Sequence, residues 1–377
     1  MASLYWYRLM ASLSKINVSL LLFVIFFFST HDSTMVEAKY RTSSKNLTNK
    51  VSALIVFGDS YFDTGNNNDF FSIAKSNHKP YGIDFPFQIP TGRFSNGVNL
   101  ADIIASYLGV TEFVPAYLDK TKDLQTLMAG VNFASAGSGY DQLSGQQSNA
   151  ILIQKQFEYF KEYKTKLELS MGQIGTQLHL ENAVFLINYG TNDIVTTYFY
   201  GHRKKQFTIE GYLQFLLQNA MNFFQGLFDL GARRIVVAGL LPTGCTPVLG
   251  RSNSVLKKPC LLNLYSNLSS DFNKKLQDGI NSMQLEFLKY NGIIVYADLF
   301  LPMSDITQNP MKYGYEFTDI ACCGLGFTDV GLFCNFLSKI CTDRSQFVYF
   351  DNFHPTQKTY QILFNAIRGV IDLMIPT

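Results

Sequence analysis

Charge is scarce in this chain. Only 16% of its 377 residues are charged, and 31 basic against 29 acidic side chains leave a formal charge of +2. So even a balance excludes the basic stripe of a nucleic-acid binder and the acidic tail of a solvating segment. Proline is sparse at 11, and no repeat or low-complexity tract occurs, which excludes disordered and collagen-like architectures. Long hydrophobic runs are missing as well. The longest, Leu20 to Phe28, has nine residues, far short of the roughly 20 that a membrane-spanning helix needs. No C-x-x-C, H-E-x-x-H or G-x-S-x-G sequence is present, which removes common metal spacings and the usual nucleophile elbow. What is plentiful is apolar: 47% hydrophobic residues, with 33 Phe and 21 Tyr, so a large packed core is expected.

The amino-terminal region reads as an address. Arg8 and Lys15 precede the apolar run, polar residues follow it, and Val36-Glu37-Ala38 supplies side chains suited to a signal-peptidase site. Residues 1–38 are expected to be a secretory signal, with an uncleaved anchor as the alternative, 39–50 a short extension and 51–377 the globular domain. After signal removal no transmembrane anchor is expected. Secretion makes disulfides the default for Cys245, Cys260, Cys322, Cys323, Cys334 and Cys341. Six thiols allow 15 pairings, and local ones are favoured: Cys245 with Cys260, the other four among themselves. Asn46 and Asn267 each open a glycosylation sequon.

Along the mature chain, Ser52–Phe57, Ala183–Ile187, Arg234–Ala238 and Gly292–Tyr296 are short, nearly continuous apolar runs, the pattern of parallel strands covered on both faces. Gly130–Ala134 is a fifth, weaker candidate. Helical periodicity separates them, at Leu213 to Leu230 before Gly231 and at Leu264 to Phe287 before Gly292. Strand and helix alternate and no linker intervenes, so a single α/β domain of three layers is expected, with its site at the carboxyl ends of the strands.

Chemistry narrows the search. Serine needs a base to become a nucleophile, and that base needs an orienting acid. Of the histidines beyond the signal (His78, His179, His202, His354), only His354 has a carboxylate at about one turn's distance, Asp351, and Pro355 after it is expected to start the last helix. Ser60 emerges directly from the first strand. An acyl transfer also needs donors for a developing oxyanion, and two loops offer them: Gly190-Thr191-Asn192-Asp193, and Thr91 to Gly97, whose last N–H is a candidate. Asp59, Asp63 and Asn66 to Asn68 read as loop-building groups. His202-Arg203-Lys204-Lys205 reads as a solvated loop.

Taken together, Phe57-Gly58-Asp59-Ser60 with Asp63 to Asn68, Pro80 to Pro86, Pro90 to Gly97, Gly190 to Asp193, Leu241 to Pro247, Cys322-Cys323-Gly324 and Asp351 to Pro355 resemble, in order, the GDSL esterases and lipases of the SGNH hydrolase superfamily, in its plant secreted branch. The resemblance covers positions 51 to 377. It implies a flavodoxin-like αβα sandwich around five parallel strands, no metal or organic cofactor, and an ester or lipid as small-molecule substrate. Carried over by motif, Ser60 is nucleophile and oxyanion donor, Gly97 and Asn192 are the other donors, His354 is the base and Asp351 its orienter. One departure is Tyr61, where the family usually has Leu; Tyr61 and Phe62 are expected near an acyl pocket. The alternatives are an acyltransferase or cell-wall carbohydrate esterase on the same residues, or a catalytically silent secreted binding protein.

Overall fold

A computed structural model describes residues 51–250, 259–324 and 334–376. The expected signal and extension, and Asn46, lie outside them.

Five strands form one parallel sheet: β1 (Leu54–Gly58), β2 (Gly130–Asn132), β3 (Val184–Asn188), β4 (Arg234–Ala238) and β5 (Ile293–Ala297). Their spatial order is β2-β1-β3-β4-β5, with Leu54 opposite Gly130 on one side and Val184 on the other. The flavodoxin-like order follows. Every residue of β1 and β3 is buried, which is why their sequences are apolar without alternation. The weak candidate at Gly130–Ala134 is the edge strand. Its pairing runs past Asn132, because Phe133 N–H donates to Val56 O and Ser135 N–H to Gly58 O.

Helices cover both faces. Alternate strand residues Ile55, Phe57, Phe185, Ile187, Ile235 and Val237 share one core with α3 (Ile153–Asn182, broken at Gly172), α4 (Ile209–Asp229) and α5 (Leu264–Phe287). Leu54, Val56, Val184, Leu186 and Val236 share the other with α1 (Leu100–Leu108), α6 (Phe300–Gln308) and α7 (Gln357–Asp372). A short α2 (Leu124–Ala129) leads into β2. The period-two division of each strand between two helical layers is the physical content of the sandwich.

A second, two-stranded parallel sheet, β6 (Phe317–Ala321) with β7 (Phe347–Tyr349), delivers the 351–355 segment. Disulfides join Cys322 to Cys341 and Cys323 to Cys334 beside it, and Cys245 to Cys260 elsewhere, so all three bridges are local. Cys323 N–H donates to Phe350 O at 2.7 Å, tying the cross-linked segment to the strand before Asp351. Pro355 does not start the last helix. It pairs with Tyr349 in an isolated bridge, and Thr356 caps α7 by accepting the Thr359 N–H. The proline comes too early because the chain is still extended against β7.

Candidate active site

Ser60 lies two residues past the end of β1, where the chain turns: Phe62 and Asp63 N–H both donate to Asp59 O. The turn leaves the Ser60 hydroxyl half-buried and facing the 351–355 segment. There His354 Nε2 stands 2.7 Å from Ser60 Oγ. On the other side of the ring, Nδ1 is 2.8 Å from both oxygens of Asp351. An ionised carboxylate only accepts, so the ring proton sits on Nδ1 and Nε2 is left to accept from the serine hydroxyl.

Asp351 is prepared for this contact. Its Oδ1 also accepts the Phe353 and His354 N–H groups, each at 2.8 Å, and its Oδ2 accepts the Tyr81 hydroxyl at 2.7 Å. Burial pushes its pKa up, but the attraction of His354 and hydrogen bonds from His354, Tyr81 and Phe353 outweigh burial and hold it below the usual carboxylate value. The imidazole is boxed by rings, Phe94 at 4.7 Å and Tyr61 at 5.5 Å between centroids, and the Tyr61 hydroxyl donates to Phe353 O at 3.3 Å.

Asn192 follows β3 on the same sheet edge. Its amide donates to Ser138 O at 3.0 Å and to Asp59 Oδ2 at 3.2 Å. Asp59 is fully buried, and desolvation raises its pKa to about 8 against the Tyr61 N–H that it accepts. Asp63 accepts the Gly65, Asn66 and Ala136 N–H groups, while the Asn66 and Asn67 amides donate to Asn132, Ala134 and Ala136 carbonyls. These loop-builders staple the turn after β1 to the chain leaving β2.

Gly97 stands elsewhere, and its expected role requires correction. Its N–H donates to Ser95 Oγ at 3.2 Å, and a Cβ there would meet Gln357 Oε1 at 1.8 Å, so it packs against the start of α7 and not against Ser60. The loop that carries it is a scaffold. Arg93 makes a buried, bidentate pair with Asp102 at 2.6 and 2.8 Å, and Phe94 supports the His354 ring. Gly137, after β2, lines the same cavity as Ser60, Asn192 and His354. Its φ is 96°, and neither its N–H nor that of Ser60 meets an acceptor among the described residues. Ala136-Gly137-Ser138-Gly139 directly after the weak fifth strand was the signal that sequence reasoning passed over.

Ser60, Gly137, Asn192 and His354 open into a cavity of about 590 Å³. Ile73, Ala74, Leu143, Val195 and Phe353 give it apolar walls, and Tyr61 lines it, whereas Phe62 is core. The 202–205 stretch is only partly a solvated loop. Arg203 pairs with buried Asp141 at 2.6 Å, which brings His202 to the cavity wall. Among the described residues Asp193 pairs with no histidine; it is buried and accepts from Tyr140 and Asp141 N–H and the Ser144 hydroxyl, and burial raises its pKa to about 6. Asn267 is exposed on α5. Among the described residues no helix is long and apolar enough to cross a membrane.

Fold and site together define a class: a doubly wound α/β protein with a serine, a histidine and an aspartate in hydrogen-bonded series at the carboxyl edge of its sheet. Comparison with known proteins gives the family. A profile described as GDSL-like lipase/acylhydrolase matches residues 54–367. One GDSL esterase/lipase of Arabidopsis thaliana is 43% identical over 329 residues, 86% of this chain and 88% of that protein. Another from the same plant is 36% identical over 352 residues, 93% and 97%. The chain belongs to the GDSL-like lipase/acylhydrolase family and is a carboxylic ester hydrolase. Among solved structures, a catalytic mutant of an acetylxylan esterase from Geobacillus stearothermophilus aligns with 86% of this chain and 97% of its own at 10% identity and a TM-score of 0.37.

Proposed function

We propose that the protein is a secreted serine esterase that acts through an acyl-enzyme on Ser60. The observation that carries the reading is the 2.7 Å approach of His354 Nε2 to Ser60 Oγ across a separation of 294 residues. Ser60 Oγ attacks the ester carbonyl carbon and its proton passes to His354, while Asp351 keeps the imidazole oriented and stabilises its charge. The tetrahedral oxyanion is met by the Ser60 and Gly137 N–H groups and by the Asn192 amide hydrogen that turns to it from Asp59 Oδ2. Collapse breaks the bond to the alcohol oxygen, which leaves with the proton from His354. Water, deprotonated by His354, then releases the acid and restores Ser60.

The cavity bears on the substrate. At about 30 Å³ for each water-sized group, 590 Å³ is far more than an acetyl group fills, and the walls are largely apolar. The preferred esters therefore carry acyl or alcohol portions of several carbons. Each methylene buried contributes about 0.8 kcal/mol, roughly a four-fold gain in kcat/KM per carbon until the cavity is full. Secretion is supported by the leader-like first 38 residues and by three disulfides, and exposed Asn267 is the described candidate for a glycan. Residues 51–377 are taken as the catalytic domain.

A fluorophosphonate probe should label the mature protein and fail to label a folded Ser60→Ala variant. Aryl esters of increasing chain length should be hydrolysed faster from acetyl upward. Persistent labelling of Ser60→Ala removes Ser60 as nucleophile, and an acetyl preference defeats the substrate assignment.

A further inference from the structure

Asp193 is a buried carboxylate that the mechanism above does not use. It does not line the cavity, and its side chain is fully enclosed at the start of the π-helical turn Asp193–Tyr200. Its hydrogen bonds nevertheless all run to one place. Oδ2 accepts the Tyr140 N–H at 2.8 Å, and Oδ1 accepts the Asp141 N–H at 2.8 Å and the Ser144 hydroxyl at 2.6 Å. Those three donors belong to the segment that begins with Gly137. The fit is close, because a Cβ on Gly139 would come within 2.4 Å of the carboxylate.

The preceding residue grips the same segment, since the Asn192 amide donates to Ser138 O at 3.0 Å. Two adjacent side chains after β3 thus hold the loop after β2, one on each side of Gly139. If Asp193 let go, Tyr140, Asp141 and Ser144 would lose their common acceptor, and the position of the Gly137 N–H relative to Ser60 would no longer be set. Charged acceptors make the stronger hydrogen bonds, and a loop tied by three of them has little freedom.

We propose that Asp193 is the positioning residue of the oxyanion hole, holding the Gly137–Ser144 segment so that the Gly137 N–H and the Asn192 amide converge on the same oxygen. The inference rests on the reading of Ser60, Gly137 and Asn192 given under the proposed function. It separates from a purely structural anchor by what it changes. An anchor sets how much protein is folded, whereas a positioning residue sets how well folded protein stabilises charge that exists only in the transition state.

The test uses Asp193→Asn and Ser144→Ala in the full mature chain, each checked for folding by circular dichroism. Steady-state kinetics on an aryl ester is paired with the affinity of phenylboronic acid, which adds to a serine hydroxyl as a tetrahedral anion. Asp193→Asn puts an amide donor where two N–H groups donate. It should lower kcat by up to roughly 100-fold, the scale of a small misplacement, with KM little changed and boronate affinity falling in parallel. Ser144→Ala removes one donor only and should show the same pattern to a smaller, several-fold extent. Should Asp193→Asn not fold, Ser144→Ala alone decides. Folded variants with wild-type kcat and boronate affinity, or with changes in KM alone, overturn the inference while labelling of wild-type Ser60 leaves the proposed function standing. A wild-type protein that the fluorophosphonate does not label overturns both.

Discussion

Two glycines separate scaffold from chemistry at the scale of single residues. Gly137 has a φ of 96°, and a Cβ there would stand 2.3 Å from Ser148 Oγ. Gly137→Ala would strain the backbone and shift the N–H assigned to the oxyanion, so kcat should fall roughly 100-fold. Gly97→Ala drives a methyl into Gln357 and should lower the melting temperature, with kcat of the folded fraction close to wild type. Steady-state kinetics beside thermal melts distinguishes the two, and a reversed outcome would return Gly97 to the site. Asn192→Ala should cost roughly 100- to 1,000-fold in kcat, the range for one oxyanion donor; undiminished turnover would remove that amide from the mechanism. Ser60, His354 and Asp351 were legible in the sequence because each stands in a short motif whose order along the chain is informative. Gly97 misled because it ends a glycine-bearing motif before a helix, and nothing local tells a loop that packs on α7 from one that borders Ser60.

Elements act here by aiming loops. β1 is buried along its whole length and presents Phe57 to Phe133, Phe160 and Phe223, at 5.1, 5.7 and 5.4 Å between ring centroids. Phe57→Ala should destabilise by about 3–5 kcal/mol, read as a shift in denaturant midpoint, and should weaken activity through the position of Ser60. A shift below about 1 kcal/mol would mean that the cluster repacks and that β1 is not held as described. The strands were recognisable from composition because a strand covered on both faces must be apolar throughout. Boundaries moved by one or two residues, and Pro355 preceded the helix it was expected to open, since pairing with β7 prevails over its preference for a first helical turn.

Over the whole molecule, buried carboxylates shape the response to pH. Desolvation first, against local hydrogen bonds, raises Asp63 and Asp193 to about 6 and Asp59 to about 8. For an acid raised on folding, the native state keeps a proton that the unfolded chain has released, so stability falls as pH rises. The window runs from the ordinary value of 3.8 to about 6 for the first two and to about 8 for Asp59. Asp351 is lowered and works in the opposite sense: its contribution is present above the ordinary value and is lost as pH falls through its folded value. Asp59→Asn removes one raised group, so its melting temperature should gain on wild type as pH climbs from about 5 to about 8. A difference that stays flat or shrinks over that interval would show that Asp59 is ionised in the folded protein.

The sequence by itself determined the αβα class, the five strands, and the motifs that carry the serine, the histidine and the aspartate. These are properties of short stretches, set by continuous burial, by loop chemistry and by the order of motifs. Only the tertiary structure decided how Cys322, Cys323, Cys334 and Cys341 pair, that His354 reaches Ser60, that Gly137 lines the cavity, that Arg203 turns inward to Asp141, and that Asp193 holds a loop about fifty residues upstream. The reason is strand order. Placing β2 beside β1 sets Ser135 N–H on Gly58 O and brings Gly137 to the cavity that Ser60 lines, and periodicity along the chain carries no information about which strand lies next to which.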